Sequence, residues 1–172
     1  MPESYPTYAA GQRLRASLLR SAQSQAVRKT ADESRSATTT LADDTHLVFA
    51  AEANAAYLMW GWIKYFADPA PDIKMQFTVP LNCLGEWAWV MPGQLTAAGS
   101  VNGYSVRTES NDVNAVRTGY GTSDTQHNTP VSGIFRMSST PGNIALQWAQ
   151  NVSNATATIL YTDSWLMFQR IA

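Results

Sequence analysis

Apolar and polar residues alternate along much of the chain, and this alternation predicts β-strands. In residues 72 to 79 every second side chain, starting at position 73, is apolar. A period of two places those side chains on one face of a half-buried strand. Residues 143 to 150 repeat the pattern, with Ile144, Leu146 and Trp148 on a shared face. We therefore predict that both segments are strands that cover one core.

Two further segments carry large apolar residues on both faces. They are residues 56 to 66, which we place in the centre of a sheet, and residues 165 to 171 near the end of the chain. A strand that is apolar on both faces is covered on both sides. The cover is a second sheet or a neighbouring subunit.

Shorter alternating segments complete the predicted fold. Further strands are predicted at residues 37–41, 46–50, 85–90, 103–108, 114–118, 131–137 and 155–161. Residues 91 to 130 are rich in Gly, Ser, Thr and Asn, which indicates elaborated surface loops. Together these elements predict an all-β fold, an antiparallel β-sandwich or jelly-roll-like knob over residues 37 to 172.

Residues 1 to 36 differ from this body and predict an anchoring arm. The arm comprises an extended segment, a short helix from about residue 10 to residue 25, and a polar linker over residues 28 to 36. Leu14, Leu18 and Ala22 lie four residues apart and form a thin apolar stripe. An isolated helix of this length is marginal in water, so we expect the arm to dock on a partner.

Charge is divided unevenly between these two parts. Residues 1 to 30 hold five basic residues and one acidic residue, a net of +4, whereas residues 31 to 172 hold seven basic and twelve acidic residues, a net of −5. The basic residues are interleaved with leucines rather than aromatics, so the predicted partner is an acidic protein surface and not nucleic acid. The predicted partner-binding residues are Arg13, Leu14, Arg15, Leu18, Leu19, Arg20, Arg28 and Lys29.

The sequence offers little catalytic chemistry. Two histidines and one cysteine cannot form a Cys/His zinc site of the usual kind, and no nucleotide-binding or nucleophile motif occurs. We predict surface or capping roles for His46 and His127 and a buried, inert thiol for Cys83. Asp43 and Asp44 could bind calcium, but a solvated turn is favoured. We expect no cofactor and no enzymatic activity, although a glycosidase-type carboxylate pair depends on spatial separation and stays open.

The chain also contains six tryptophans, at positions 60, 62, 87, 89, 148 and 165. Large aromatic side chains dominate protein cores and subunit interfaces, and they also stack on sugars. Because Trp60, Trp62, Trp87, Trp89, Trp148 and Trp165 lie inside strand patterns, we predict core or interface positions. A groove for a host-surface glycan is the alternative.

Targeting signals are not evident in the sequence. The N-terminal residues lack the apolar centre of a signal peptide, and no apolar run approaches the ~20 residues of a membrane span. A single cysteine permits no intrachain disulfide and does not imply an oxidising compartment. We therefore expect assembly in a cytoplasm without a membrane partner.

Several short segments carry a resemblance to a known class of proteins. These are residues 10–14, 18–19, 28–47, 53–57, 72–74, 146–151 and 164–166. In them the chain resembles small virion structural proteins of tailed phages of actinobacteria, which occur as head-decoration or minor tail proteins. The resemblance covers nearly the whole chain and is weakest over residues 91 to 130. It rests on structural motifs and not on catalytic ones.

The resemblance implies a place on the virion. We expect a decoration or minor capsid protein that docks on the major capsid protein or on other virion proteins through its arm. A tail or baseplate fibre-type position and a carbohydrate-binding module for host attachment are the alternatives. The apolar bulk of the two-sided strands also predicts a homo-oligomer, with a trimer as the favoured form.

Overall fold

The computed structural model describes residues 9–13, 15–16, 19, 23–92, 104–109, 113–122 and 126–172, with backbone alone at 91–92 and 104–109. The described residues form an all-β fold of antiparallel strands. The strands are β1 Gln25–Arg28, β2 Glu33–Arg35, β3 Ala42–Ala51, β4 Ala56–Phe66, β5 Ile73–Thr78, β6 Leu84–Pro92, β7 Tyr104–Glu109, β8 Arg117–Gly119, β9 His127–Arg136, β10 Gly142–Ala149, β11 Thr158–Leu160 and β12 Trp165–Arg170.

These strands belong to two sheets. The first sheet follows the order β1-β12-β4-β9-β6-β7, with β11 pairing both β4 and β2 at its side. The second sheet follows the order β3-β10-β5-β8. Every pairing in both sheets is antiparallel.

The hydrophobic core lies where residues of the two sheets meet, a sandwich-like arrangement. The ring of Phe49 on β3 stacks on Phe168 of β12 with centroids 4.2 Å apart. The ring of Phe77 on β5 meets Trp87 of β6 and Phe135 of β9 edge-on, at 5.1 and 5.2 Å. These contacts join both sheets into one buried cluster.

The strongly alternating segments are strands, as the sequence predicts. β4 occupies residues 56 to 66 and pairs with a strand on each side, so its predicted central position is confirmed. In β5 the side chains of Ile73, Met75 and Phe77 are fully buried. The two candidate strands in the loop-rich region correspond to β7 and β8, each displaced along the chain.

The structure of residues 25 to 45 differs from the prediction. Strands β1 and β2 lie inside the segment interpreted as helix and linker, while residues 37 to 41 form no strand and β3 begins within the predicted turn. β1 has only Ala26 and Val27 as apolar residues, and besides the packing of the half-buried Val27 against the core it is held by its pairing with β12. Such a strand has too little alternation to be recognised from sequence.

The rest of the predicted arm is described only in part. The predicted helix lies largely outside the described residues, although the Leu19 N–H donates a hydrogen bond to the Arg15 carbonyl at 3.1 Å. In the part of the chain that is described, no helix has both the length and the apolar character needed to cross a membrane.

Candidate interaction surface

The outward face of the first sheet is apolar because β4 has large residues at its even as well as its odd positions. Odd-numbered side chains of β4 point into the core. The even-numbered Leu58, Trp60 and Trp62 point outward and keep 42, 37 and 39% of their surface exposed. Exposure of this size on three large side chains in a row is unusual for a surface that faces only water.

Neighbouring strands extend this surface, since paired residues of adjacent strands point to the same side. Trp165 and Met167 of β12 lie beside Trp62 and Trp60. We call the whole patch the apolar face, and its residues are Leu58, Trp60, Trp62, Ala88, Val90, Pro130, Ser132, Ile134, Trp165 and Met167.

The outward face of the second sheet is polar instead. Thr78 Oγ1 donates to Asp43 Oδ1 at 2.8 Å, and Gln76 Nε2 donates to Gln147 Oε1 across β5 and β10. Lys74 also lies on this side of β5. Such side chains hydrogen-bond with water or with each other, as is usual for a face in contact with solvent, whereas the apolar face exposes large apolar side chains.

The six tryptophans divide between core and surface. Trp87, Trp89 and Trp148 are buried, with 2, 1 and 0% of their surface exposed. Trp165 is half-buried, and Trp60 and Trp62 are exposed. The first three therefore lie in the core, and the other three belong to the apolar face.

The predicted partner-binding residues of the arm are not held together as one site. Leu14, Leu18 and Arg20 lie outside the described residues, and Arg13, Arg15 and Leu19 are exposed. Arg28 forms an exposed ion pair with Asp163.

Lys29 corrects the prediction of a free cation on the arm. Its side chain is fully buried, and Nζ donates to Asp44 Oδ2 at 2.5 Å and to Glu33 Oε2 at 3.3 Å. A lysine shielded in this way cannot contact a partner. Its backbone is also held, because its N–H donates to the Ser164 carbonyl at 2.8 Å.

Asp44 accepts hydrogen bonds at both oxygens, which corrects its interpretation as part of a solvated turn. Oδ1 accepts from the backbone N–H groups of His46 and Leu47 at 2.9 Å each, and Oδ2 also accepts from Trp148 Nε1 at 3.3 Å. A buried carboxylate needs this number of donors to offset its lost hydration. Asp43, in contrast, is exposed.

Glu33 and Arg35, both half-buried, complete this charge network. Arg35 Nη2 donates to Glu33 Oε1 at 2.5 Å, and the guanidinium lies 4.1 Å from the ring centroid of Trp148, a cation–π distance. Burial by itself would raise the pKa of Glu33, but the hydrogen bond from Arg35 and the charges of Lys29 and Arg35 lower that pKa to about 2. Two cations and two carboxylates thus balance in one cluster.

The other candidates for chemistry stand apart from each other. The His46 ring contacts Thr45 Oγ1, and the His127 ring stacks on Tyr65 with centroids 5.2 Å apart, where burial lowers the pKa of His127. Burial raises the pKa of the Cys83 thiol. Within the described ranges, no three His, Cys, Asp or Glu side chains are grouped so that they could hold a metal ion.

Sequence reasoning missed the charge network because its members come from different elements. Glu33 and Arg35 lie on β2, which the sequence interprets as linker, and Asp44 lies within a predicted turn. One available signal was the density of charge in residues 28 to 35, which hold three cations and two carboxylates within eight positions.

Comparison with known proteins does not assign this chain to a family. No family model matches the chain, and no curated protein matches it either.

Proposed function

We propose that this chain is a structural protein of a phage virion that assembles in several copies. The observation that carries the proposal is the apolar face, which presents Trp60 and Trp62 at the centre of a sheet and opposite a polar face. Exposed apolar patches of this kind mark protein–protein contacts. The resemblance of the sequence to virion proteins of actinobacterial phages supports the choice of particle.

We propose further that the body is a jelly roll. When β1, β3, β4, β5, β8, β9, β10 and β12 are numbered 1 to 8 in chain order, the two sheets read 1-8-3-6 and 2-7-4-5. This order is that of two interlocked Greek keys, the arrangement of jelly rolls in viral capsid proteins. Strands β6 and β7 then form an inserted hairpin that extends the first sheet beyond β9.

The particle contact in this proposal is the segment that precedes β1. The segment carries exposed Arg13, Arg15 and Leu19, so it offers positive charge together with apolar surface. Its partner is an acidic, partly apolar surface of the major capsid protein or another virion protein. Decoration of the head is the position we favour over the tail or baseplate.

Sedimentation with particles tests this proposal. Particles that lack the protein are mixed with the full chain, with a chain lacking residues 1–22, and with a chain in which Arg13 and Arg15 are replaced by Ala. We expect the full chain to pellet with heads, the truncated chain to stay in the supernatant, and the Ala variant to bind more weakly. Binding should also fall with added salt, since exposed charges are screened over ~8–10 Å at 0.1–0.15 M.

Three outcomes of the sedimentation experiment would contradict parts of the proposal. Pelleting of the truncated chain as efficiently as the full chain would remove the arm as the anchor. Pelleting with isolated tails but not with heads would move the protein to the tail. Failure of the full chain to pellet with either heads or tails would contradict the proposed virion function.

Glycan binding is a second candidate because the indoles of Trp60 and Trp62 are exposed. The polar side chains nearest the two indoles are few, with Ser132 beside Trp60 and Lys64 one outward position beyond Trp62. Gln169 and Glu86 lie further along the same face, at the level of Leu58. Titration with soluble cell-wall polysaccharide tests this alternative. Quenching of tryptophan fluorescence that is lost in Trp60→Ala would support it, and an unchanged spectrum would contradict it.

A further inference from the structure

We infer that the apolar face pairs with the apolar face of a second copy of this chain, about a twofold axis that runs along the strands between β4 and β9. The inference rests on the proposed assembly in several copies and specifies its geometry. The apolar face divides at this axis into a tryptophan half on β12 and β4 and a small half on β9 and β6.

The two halves differ in the size of their outward side chains. The tryptophan half consists of Leu58, Trp60, Trp62, Trp165 and Met167. The small half consists of Ala88, Val90, Pro130, Ser132 and Ile134. A rotation about the axis lays the large half of each copy on the small half of the other, so one face is complementary to itself.

Residues at the middle level of the face illustrate this match. Strand register places Met167, Trp60, Ser132 and Ala88 side by side across β12, β4, β9 and β6. The rotation brings Trp60 onto Ser132 of the second copy. It also brings Met167 onto Ala88, so the largest side chains fill the lowest parts of the opposing surface.

The upper level matches in the same way. Trp62 is paired with Trp165 on one side and with Pro130 on the other. Trp89 of β6 is paired with Val131, so the next residue, Val90, lies beside Pro130. The rotation brings Trp62 onto Pro130 of the second copy and Trp165 onto Val90. Both contacts join an indole to an apolar surface.

At the lower level the contacts are apolar and polar. Leu58 is paired with Gln169 on one side and with Ile134 on the other, and Ile134 is in turn paired with Glu86 of β6. The rotation brings Leu58 onto Ile134 of the second copy. It also brings Gln169, whose amide donates to the Arg170 carbonyl and accepts from Ser24 Oγ within its own chain, towards Glu86 of the second copy. No like charges meet at any of the three levels, so electrostatics do not oppose the pairing.

The contact area of such a pair is small. The rotation lays β12 and β4 on β6 and β9 of the second copy, and at ~4.8 Å per strand and ~3.4 Å per residue the overlapping six to ten residues of each strand give a footprint of roughly 500 Å² per copy, which is below the ~800 Å² per partner of a standard interface. Two such sheets pack with their strands aligned to within about 30°. The contact uses the same surface on both copies, so it closes at two and does not produce the trimer that the sequence favours.

Mass in solution tests this inference on the full chain. Sedimentation equilibrium from low to high micromolar concentration should give twice the chain mass of 18.8 kDa. Acrylamide quenching of tryptophan emission should decrease over the same concentration range, because Trp60, Trp62 and Trp165 become covered while the other three are buried in either state. A monomer or trimer throughout, or a dimer with unchanged quenching, would overturn the inference.

Size-swap variants test the twofold register. Trp60→Ser removes a large residue and Ser132→Trp fills the opposing depression, and each should raise the dimer Kd at least about 30-fold, as expected for a central hot spot. The double variant with Trp60→Ser and Ser132→Trp again sets one large side chain against one small side chain across the axis. It should therefore recover most of the dimer affinity. Gln76→Trp on the polar face is the control and should leave the dimer intact.

The outcomes separate this inference from the proposed function. Near-UV circular dichroism reports whether each variant is folded, and the wild-type mass and quenching decide the pairing if a variant is not. Ser132→Trp chains that remain dimeric would overturn the register. A monomeric wild type that still pellets with particles would overturn the pairing and leave the virion function standing.

Discussion

The Nζ atom of Lys29 lies 2.5 Å from Oδ2 of Asp44, and both side chains are completely shielded from water. Lys29 immediately follows β1, and Asp44 lies on β3 of the other sheet. The pair therefore connects the start of the folded body, next to β1 of the first sheet, to β3 of the second sheet. It also moves the boundary between arm and body, since a chain segment that holds a buried ion pair belongs to the body.

Replacing Lys29 with Met should destabilise the protein by about 3–5 kcal/mol, because Asp44 would keep a buried charge without its cationic partner. Urea unfolding followed by circular dichroism measures the loss. Arg28→Ala is the matched control at the adjacent position. Its ion pair with Asp163 is exposed, so the expected loss is within about 1 kcal/mol.

The double variant Lys29→Met with Asp44→Leu gives a second measurement on the same pair. Because it removes both charges, it should be more stable than Lys29→Met alone. Equal stability of Lys29→Met and the wild type would contradict a buried ion pair at this site.

Stability should fall as the pH is lowered from about 4.5 to about 2. The ordinary pKa of Glu33 is 4.5 and its value in the folded chain is about 2. A lowered pKa in the folded state contributes stability above the unfolded pKa, and this contribution is lost as the pH falls toward the folded one. Urea midpoints of the wild type and of Glu33→Gln, compared between pH 6 and pH 2, measure it. The difference between the two should shrink with falling pH, and a constant difference would contradict the assignment.

Removing residues 1–22 should leave the body folded, whereas removing residues 1–36 should not. The longer deletion takes away β1, β2 and Lys29, so it opens the edge of β12 and leaves Asp44 without its lysine. Circular dichroism and limited proteolysis of both chains measure the outcome. A cooperative, native-like unfolding transition in the longer deletion would contradict this division of the chain.

Trp148→Ala should cost about 3–5 kcal/mol, since it leaves a large cavity in the core. It also removes the hydrogen bond to Asp44 and the ring beneath Arg35. Val152→Ala, at a position that is 55% exposed, is the control and should stay within about 0.5 kcal/mol. A loss below about 1 kcal/mol for Trp148→Ala would contradict its position in the core.

The sequence by itself determined the strands whose alternation is strong. In β5 and β10 the side-chain period of two is enough to identify the strand and the side that faces the core, because burial acts locally on each position. The large residues on both sides of β4 likewise predicted a central strand with a second apolar face. From the sequence alone, that face could be covered by a second sheet, by a neighbouring subunit or by a glycan.

Only the tertiary structure decided the elements that depend on distant partners. β1 and β2 are strands because β12 and β11 supply hydrogen-bonding edges, and nothing in their own residues encodes those edges. Lys29 is buried because Asp44, Glu33 and the Trp148 side of the core meet around it, although in sequence it reads as one more exposed cation. The apolar face, too, exists only through the register that sets β12, β4, β9 and β6 side by side, since the residues concerned are separated by up to about a hundred positions along the chain.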